Sequence, residues 1–277
     1  MLEEHSRNKQ IIQASVHANE ESIKIWRYMD ITQLISLLDK KALFFARSDK
    51  SPDYFEGLHT KASIKSLDSS LEKVNEKDPA KYLVSQITGI MKSIPEKSKP
   101  YFYINCWHGS EYESMAMWSI YAKDNKGISI QSNLKKLKEC LSKSHCYYNK
   151  EYVNAPSIYT EKIKYVNTET FCEDFSSKNW NRNCFFKKLE SYDYEREIRA
   201  LIDLTSESEN INEFNYLNVI ENDGIYIYVD LDFIEKIFVC PLAPNWVLDV
   251  VKSIAEKYEI GEEKITRSSL VADSTLK

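Results

Sequence analysis

Two periods of hydrophobicity alternate along this chain, one suited to strands and one to helices. After a polar opening segment, residues 1–22, the run Ile23–Tyr28 (IKIWRY) is short and rich in β-formers. Asp30 or Thr32 then stands as a helix cap before an apolar stripe at Leu34, Ile35, Leu37 and Leu38. Ala42–Arg47 (ALFFAR) reads as a second strand, so the chain opens as strand–helix–strand. A turn-rich stretch, Ser48–Gly57, leads into two lysine-studded helical segments at about 59–76 and 78–94. Strands are predicted at Lys99–Trp107, Gly127–Gln131, on either side of Pro156 within Val153–Val166, at Glu195–Leu204, Gly224–Asp230 and Ile237–Cys240. Helices are predicted at Glu113–Ala122, Leu134–Leu141, roughly 169–190, and Asn245–Tyr258. The last shows Val247, Val250, Val251, Ile254 and Tyr258 on one face. The pattern predicts a single α+β domain over residues 23–277. It has a mixed sheet of seven or eight strands, flanking helices and a helical insertion near 58–95.

Composition narrows the function classes. Of 277 residues, 43% are hydrophobic and 29% charged, which places the chain among ordinary globular proteins. The net charge of −5 argues against a protein that coats nucleic acid non-specifically, though it leaves room for a local basic groove. Only six glycines occur, at 57, 89, 109, 127, 224 and 261, so neither G-x-G-x-x-G nor a Walker loop is present. The six cysteines show no C-x-x-C pair and no zinc-ribbon spacing, so no metal site is expected. With no apolar leader and no 18-residue span in sight, a cytoplasmic protein with reduced thiols and no membrane partner is the expectation.

Five groups of residues carry candidate chemistry. Glu195, Glu197 and Arg199 alternate on one predicted strand, so all three side chains share a face, and Ile198, Ala200 and Ile202 form the core side. Paired carboxylates beside a guanidinium split their proton affinities. The competing reading is a surface ladder of weak ion pairs. Arg27 is placed among Ile25 and Trp26 with no packing reason for a charge. The block Cys106-Trp107-His108, with Glu111, Glu113, Met117, Trp118 and Tyr121, concentrates rare residue types. It reads as an aromatic core layer, or as a site with His108 and Glu111 to test first. A Cys106–His108 dyad or a metal held by them has unfavourable spacing. Glu56 reads as a loop anchor accepting backbone N–H bonds, and Lys187-Lys188 with Lys162 and Lys164 as a weak phosphate-contacting patch diluted by Glu161, Glu190 and Asp193.

The stretches IWRYMD (25–30), ALFFARSDKSPDYFEG (42–57) and NCWHGSEYESMAMWSIYAKDNKGISIQS (105–132) resemble the bacterial family catalogued as domain of unknown function 2971. FFKKLESYDYEREIRALI (185–202), GIYIYVDL and PLAPNW extend the resemblance over most of the chain. The loop departs from the family's usual Asp-Pro pair, with Asp53-Tyr54 after Pro52. That family name implies no activity. A second, more distant resemblance is one of plan. A basic residue on a first strand and a late Glu-x-Glu strand are similar to the layout of ADP-ribosyltransferases. It implies NAD as substrate, Arg27 gripping the dinucleotide, and Glu197 or Glu195 steadying positive charge at the ribose. It further implies a nicotinamide sandwich drawn from Tyr28, Trp107, Trp118 and Tyr121, with His108 and Arg199 as further cofactor-binding residues. Ser48 or Tyr121 would stand for the Ser-Thr-Ser element of one transferase class. The acceptor would be a protein or nucleic acid, and the setting that of a toxin or antiviral defence effector with an accessory protein. The alternative is a non-enzymatic nucleotide-binding or protein-interaction module in which Glu195–Arg199 is an ion-pair ladder. A nuclease is disfavoured by the missing D…E-x-K signature.

Overall fold

In the computed structural model the described residues are 21–75, 78, 80–148, 151–205 and 223–270, so nearly all of the polar opening lies outside them. The opening unit follows the pattern closely: β1 (Lys24–Met29), α1 (Ile31–Lys40) and β2 (Ala42–Arg47). Asp30 is the cap. Its carboxylate accepts the Gln33 N–H at 2.8 Å, while the Gln33 side chain accepts the Asp30 N–H at 3.0 Å. Helix α1 buries Leu34, Leu37 and Leu38 and leaves Ile35 at the surface.

The helical insertion is the hairpin of α2 (Lys61–Glu72) and α3 (Ala80–Ser98). After it come β3 (Phe102–Gly109), α4 (Met115–Tyr121), β4 (Ile128–Asn133), α5 (Leu134–Ser142), β5 (His145–Tyr148), β6 (Glu151–Asn154), β7 (Ile158–Lys162) and β8 (Lys164–Val166). The chain continues through α6 (Trp180–Asn183), β9 (Lys187–Leu189), β10 (Glu197–Asp203), β11 (Gly224–Tyr228), β12 (Lys236–Val239), α7 (Asn245–Lys257) and β13 (Ile265–Arg267).

The architecture is α+β, with more strands than the pattern suggested. Eleven form one mixed sheet, and β8 and β9 pair in parallel beside it. Strand β3 is the branch point. β10 pairs antiparallel along it from His108 to Phe102. β1 pairs with β3 at Gly109 and His108, and β2 pairs with it at Ile104 and Tyr103. β1 and β2 therefore part company beside residues 105–107. Side chains bridge that gap: Asn105 donates to the Phe44 carbonyl at 2.9 Å, and Arg27 donates to the Cys106 carbonyl at 3.4 Å.

Every residue of β10 is buried. Ile198, Ala200 and Ile202 join the main core with Leu34, Ile130, Trp107 and Val247. Leu201 joins a second cluster with Phe102 and Phe185. Two expectations are corrected here. The helix expected over 169–190 is largely turns, with a four-residue α6 inside it. Asn167, Asp174 and Ser177 side chains accept N–H groups two residues on, a local bonding that competes with helix formation. The strand expected from Glu195 begins at Glu197, because 190–195 is a 3₁₀ turn and Arg196 is left-handed at φ 43°. Among the described residues, no helix is long and apolar enough to cross a membrane.

Candidate functional site

A cavity of about 460 Å³ opens where β1 and β2 diverge. Its wall includes Arg27, Tyr28, Trp107, His108 and Tyr121, together with Glu195, Glu197 and Arg199. These come from β1, β3, α4, the 3₁₀ turn over 190–195 and the start of β10, so the sheet branch collects residues far apart in sequence. Trp118 does not reach the wall. It is buried behind Tyr28, ring edge to face at 4.9 Å, with its indole N–H on Glu113 at 3.1 Å. Glu111 stands on the surface near Lys24, at 3.9 Å. Ser48 is buried and donates to the Lys99 carbonyl.

One side of the cavity is a chain of buried charges. Arg199 donates to both oxygens of Glu56, at 2.5 and 3.0 Å, and to both oxygens of Glu197, at 2.6 and 3.2 Å. It also donates to the Phe185 carbonyl at 2.6 Å. Lys188 then joins Glu197, at 3.0 Å, to Glu195, at 2.5 Å. A surface ladder is thus not what forms, since Arg199 is fully buried and Glu56 and Glu197 nearly so. Nor does Glu56 anchor its loop through backbone N–H groups; its carboxylate is spent on Arg199. Left-handed Arg196 lets Glu195 reach the same lysine as Glu197 although the two do not share a strand.

Electrostatics sort these groups by role. Burial resists ionisation of Glu197, yet Arg199 and Lys188 overcome it and hold its pKa down to about 2. Burial raises the Glu56 pKa, and Arg199 offsets this in part. Burial works against both cations, but the carboxylates win and raise Lys188 and Arg199 above their usual range. Cys106, whose thiol bonds Glu197, is driven well up by burial and by that neighbouring charge, so it is no thiolate nucleophile. His108 is lowered by burial, and one ring nitrogen lies 2.6 Å from the Glu195 carbonyl. Burial pushes Tyr121 up to about 12.

Arg27 differs from Arg199 in its partners. Among the described residues no carboxylate pairs with it; it has the Cys106 carbonyl and the Trp107 ring, 5.8 Å from its guanidinium carbon. Burial lowers its pKa, with Cys106 and Tyr121 opposing weakly. A guanidinium offers five donors, so spare donors stand at this wall.

Residues 117–200 match the DUF2971 family, described as a protein of unknown function. The DUF2971 stretch, less than a third of the chain, runs from α4 into β10 and supplies Tyr121, Lys188, Glu195, Glu197 and Arg199. Over that stretch the resemblance read from the sequence holds. No curated protein matches the chain.

A second charged cluster lies under the helical insertion. His59, Glu173 and Cys184 place ligand-type atoms within 4.8 Å of one another. Their bonding capacity is already committed. Lys187 and the Thr60 N–H and hydroxyl engage Glu173, the Met91 carbonyl lies 3.1 Å from one His59 nitrogen, and the Cys184 thiol donates to the Trp180 carbonyl. Of the four lysines expected to form a phosphate-contacting patch, Lys162 and Lys164 are exposed whereas Lys187 and Lys188 are buried in ion pairs. Alternation along β9 sends Lys187 to this cluster and Lys188 to the cavity. The loop context of Glu56 suggests an anchor for its own turn. Its pairing with Arg199 spans 143 residues, and no periodicity signals it.

Proposed function

We propose that the cavity binds a nucleotide or an NAD-like dinucleotide, with Arg27 as its phosphate contact. The Glu56–Arg199–Glu197–Lys188 chain is then the wall of the site. The observation that carries this reading is Arg27 itself, a half-buried guanidinium on the cavity wall with no carboxylate partner among the described residues. Holding such a charge out of water is costly unless an anion completes it, and phosphate oxygens match the guanidinium fork. The volume of about 460 Å³ lies within the range of small-molecule sites.

ADP-ribosyl transfer or NAD glycohydrolysis asks in addition for a carboxylate facing the ribose. Glu197 is a poor candidate, since both its oxygens are taken by Arg199 and one also by Lys188. Glu195 keeps one oxygen outside its lysine contact and is the carboxylate to which turnover is assigned.

Titration calorimetry of the purified chain with NAD, ADP-ribose and AMP, wild type beside Arg27→Gln, tests the reading. Binding that falls roughly tenfold or more in Arg27→Gln supports it, as expected for loss of a charged hydrogen bond. Equal binding by both proteins, or none by wild type, overturns it. Nicotinamide release in the NAD samples reports turnover. Its loss in Glu195→Gln with binding retained supports the catalytic assignment, and its absence from wild type leaves a binding module.

A further inference from the structure

Opposite Arg27 across the strand divergence lies an aromatic pair, Phe44 and Tyr226. Phe44 of β2 and Tyr226 of β11 are direct cross-strand partners, with ring centroids 5.0 Å apart. Both are half-buried, and both line the cavity. Gly224, the partner of Ala46 in the same ladder, shapes their position. A Cβ there would come within 2.3 Å of the Phe44 ring, so the ring lies over the space a side chain would fill. The neighbouring positions on that stretch are thus Ala46 and a bare Gly224. This leaves the Phe44 ring spread along the sheet.

The placement relative to Arg27 follows from two consecutive residues of β3. Asn105 binds the Phe44 carbonyl and Cys106 the Arg27 guanidinium, so aromatic and cationic elements flank one short piece of backbone. A ligand touching both needs a planar ring and an anion joined by a short linker. Phe44 is an apolar face with nothing polar to satisfy; Tyr226 has its hydroxyl 3.4 Å from the Ser36 hydroxyl and its ring 5.1 Å from the Lys40 ammonium.

We infer that Phe44, laid across Gly224 beside Tyr226, is the platform on which the base of the bound ligand stacks. The cavity therefore selects nucleotides over bare phosphates and sugar phosphates. This rests on the proposed role of Arg27 and adds the ring-recognising half of the site.

The experiment compares AMP, ribose 5-phosphate and inorganic pyrophosphate by calorimetry on wild type, Phe44→Leu, Tyr226→Leu and Arg27→Gln. Thermal melts establish that each variant is folded. Wild type is expected to bind AMP roughly tenfold or more tightly than ribose 5-phosphate, the scale of one stacked base. Phe44→Leu should remove that advantage while leaving ribose 5-phosphate unchanged, and Tyr226→Leu should reduce it. Arg27→Gln should weaken both compounds alike. Equal affinity of wild type for AMP and ribose 5-phosphate overturns the platform and leaves Arg27 standing as an anion contact. So does a folded Phe44→Leu that keeps the AMP advantage; if that variant fails to fold, an undiminished advantage in Tyr226→Leu overturns it. No binding of any of the three by wild type overturns both.

Discussion

Two arginines line one cavity from strands on opposite edges of β3, and their surroundings are reversed. Arg199 on β10 is saturated by two carboxylates and a carbonyl, fully enclosed, and held permanently charged. Arg27 on β1 faces the same space with one long carbonyl contact and an aromatic ring. A saturated cation holds structure together, because its donors have nothing left for a visitor. An unsaturated one in the same cavity has donors to spare. The difference comes from neighbours: β10 runs past Glu56 and Lys188, whereas β1 runs beside a gap in strand pairing.

The largest expected effect is at the saturated end. Arg199→Met leaves Glu56 and Glu197 buried and uncompensated, and it should cost about 3–5 kcal/mol in urea unfolding. A cost below about 1 kcal/mol would mean that the chain is not a unit and would dissolve the contrast with Arg27.

The pH dependence of stability should come from the same end and carry two opposite signs. The Glu197 pKa of about 2 in the folded state lies below the ordinary carboxylate value near 4.3. Its contribution is therefore present above that ordinary value and lost as pH falls toward 2. Glu56 is displaced upward, so its contribution is present at low pH and is lost as pH rises through its folded value. Glu197→Gln should flatten the acid limb of a urea-midpoint profile below about pH 4.5. Glu56→Gln should instead lessen the loss of stability above that range. An acid limb unchanged in Glu197→Gln would place its charge outside the network.

The smallest effect should be at the unsaturated end. Arg27→Met removes a partly desolvated charge that has no carboxylate partner, and its stability change should stay within about 1 kcal/mol, in the favourable direction. A loss of 3 kcal/mol or more would show that Arg27 is a structural partner after all.

What could be read from the sequence divides along the same line. Arg27 stood out because a charge interrupts an apolar strand, a purely local signal. The opening strand–helix–strand unit was legible for a similar reason, since cap, stripe and strand lie within a few residues of one another. Glu56 and Arg199 were legible as charges but not as a pair, because the contact closes across 143 residues and through a loop. The parity argument on Glu195 failed at one residue, the left-handed Arg196, which local composition gives no reason to expect. Strands β8, β9 and β13 have three residues each, too few to display any period. Phe44 and Tyr226 were invisible as site residues, because an aromatic on a strand looks the same whether it faces a core or a cavity.

Strand β9 implies a rule about tolerated change. Its two adjacent ammonium groups serve two separate clusters, Lys187 with Glu173 beneath the helical hairpin and Lys188 with Glu195 and Glu197 at the cavity. Which lysine serves which cluster is decided by odd or even position along three residues paired to β8. Deleting one residue just before β9 would put Lys188 in the place of Lys187 and Leu189 in the place of Lys188, leaving Glu195 and Glu197 short of a cation. Homologues of this chain should therefore keep a fixed count from Cys184 to Lys188.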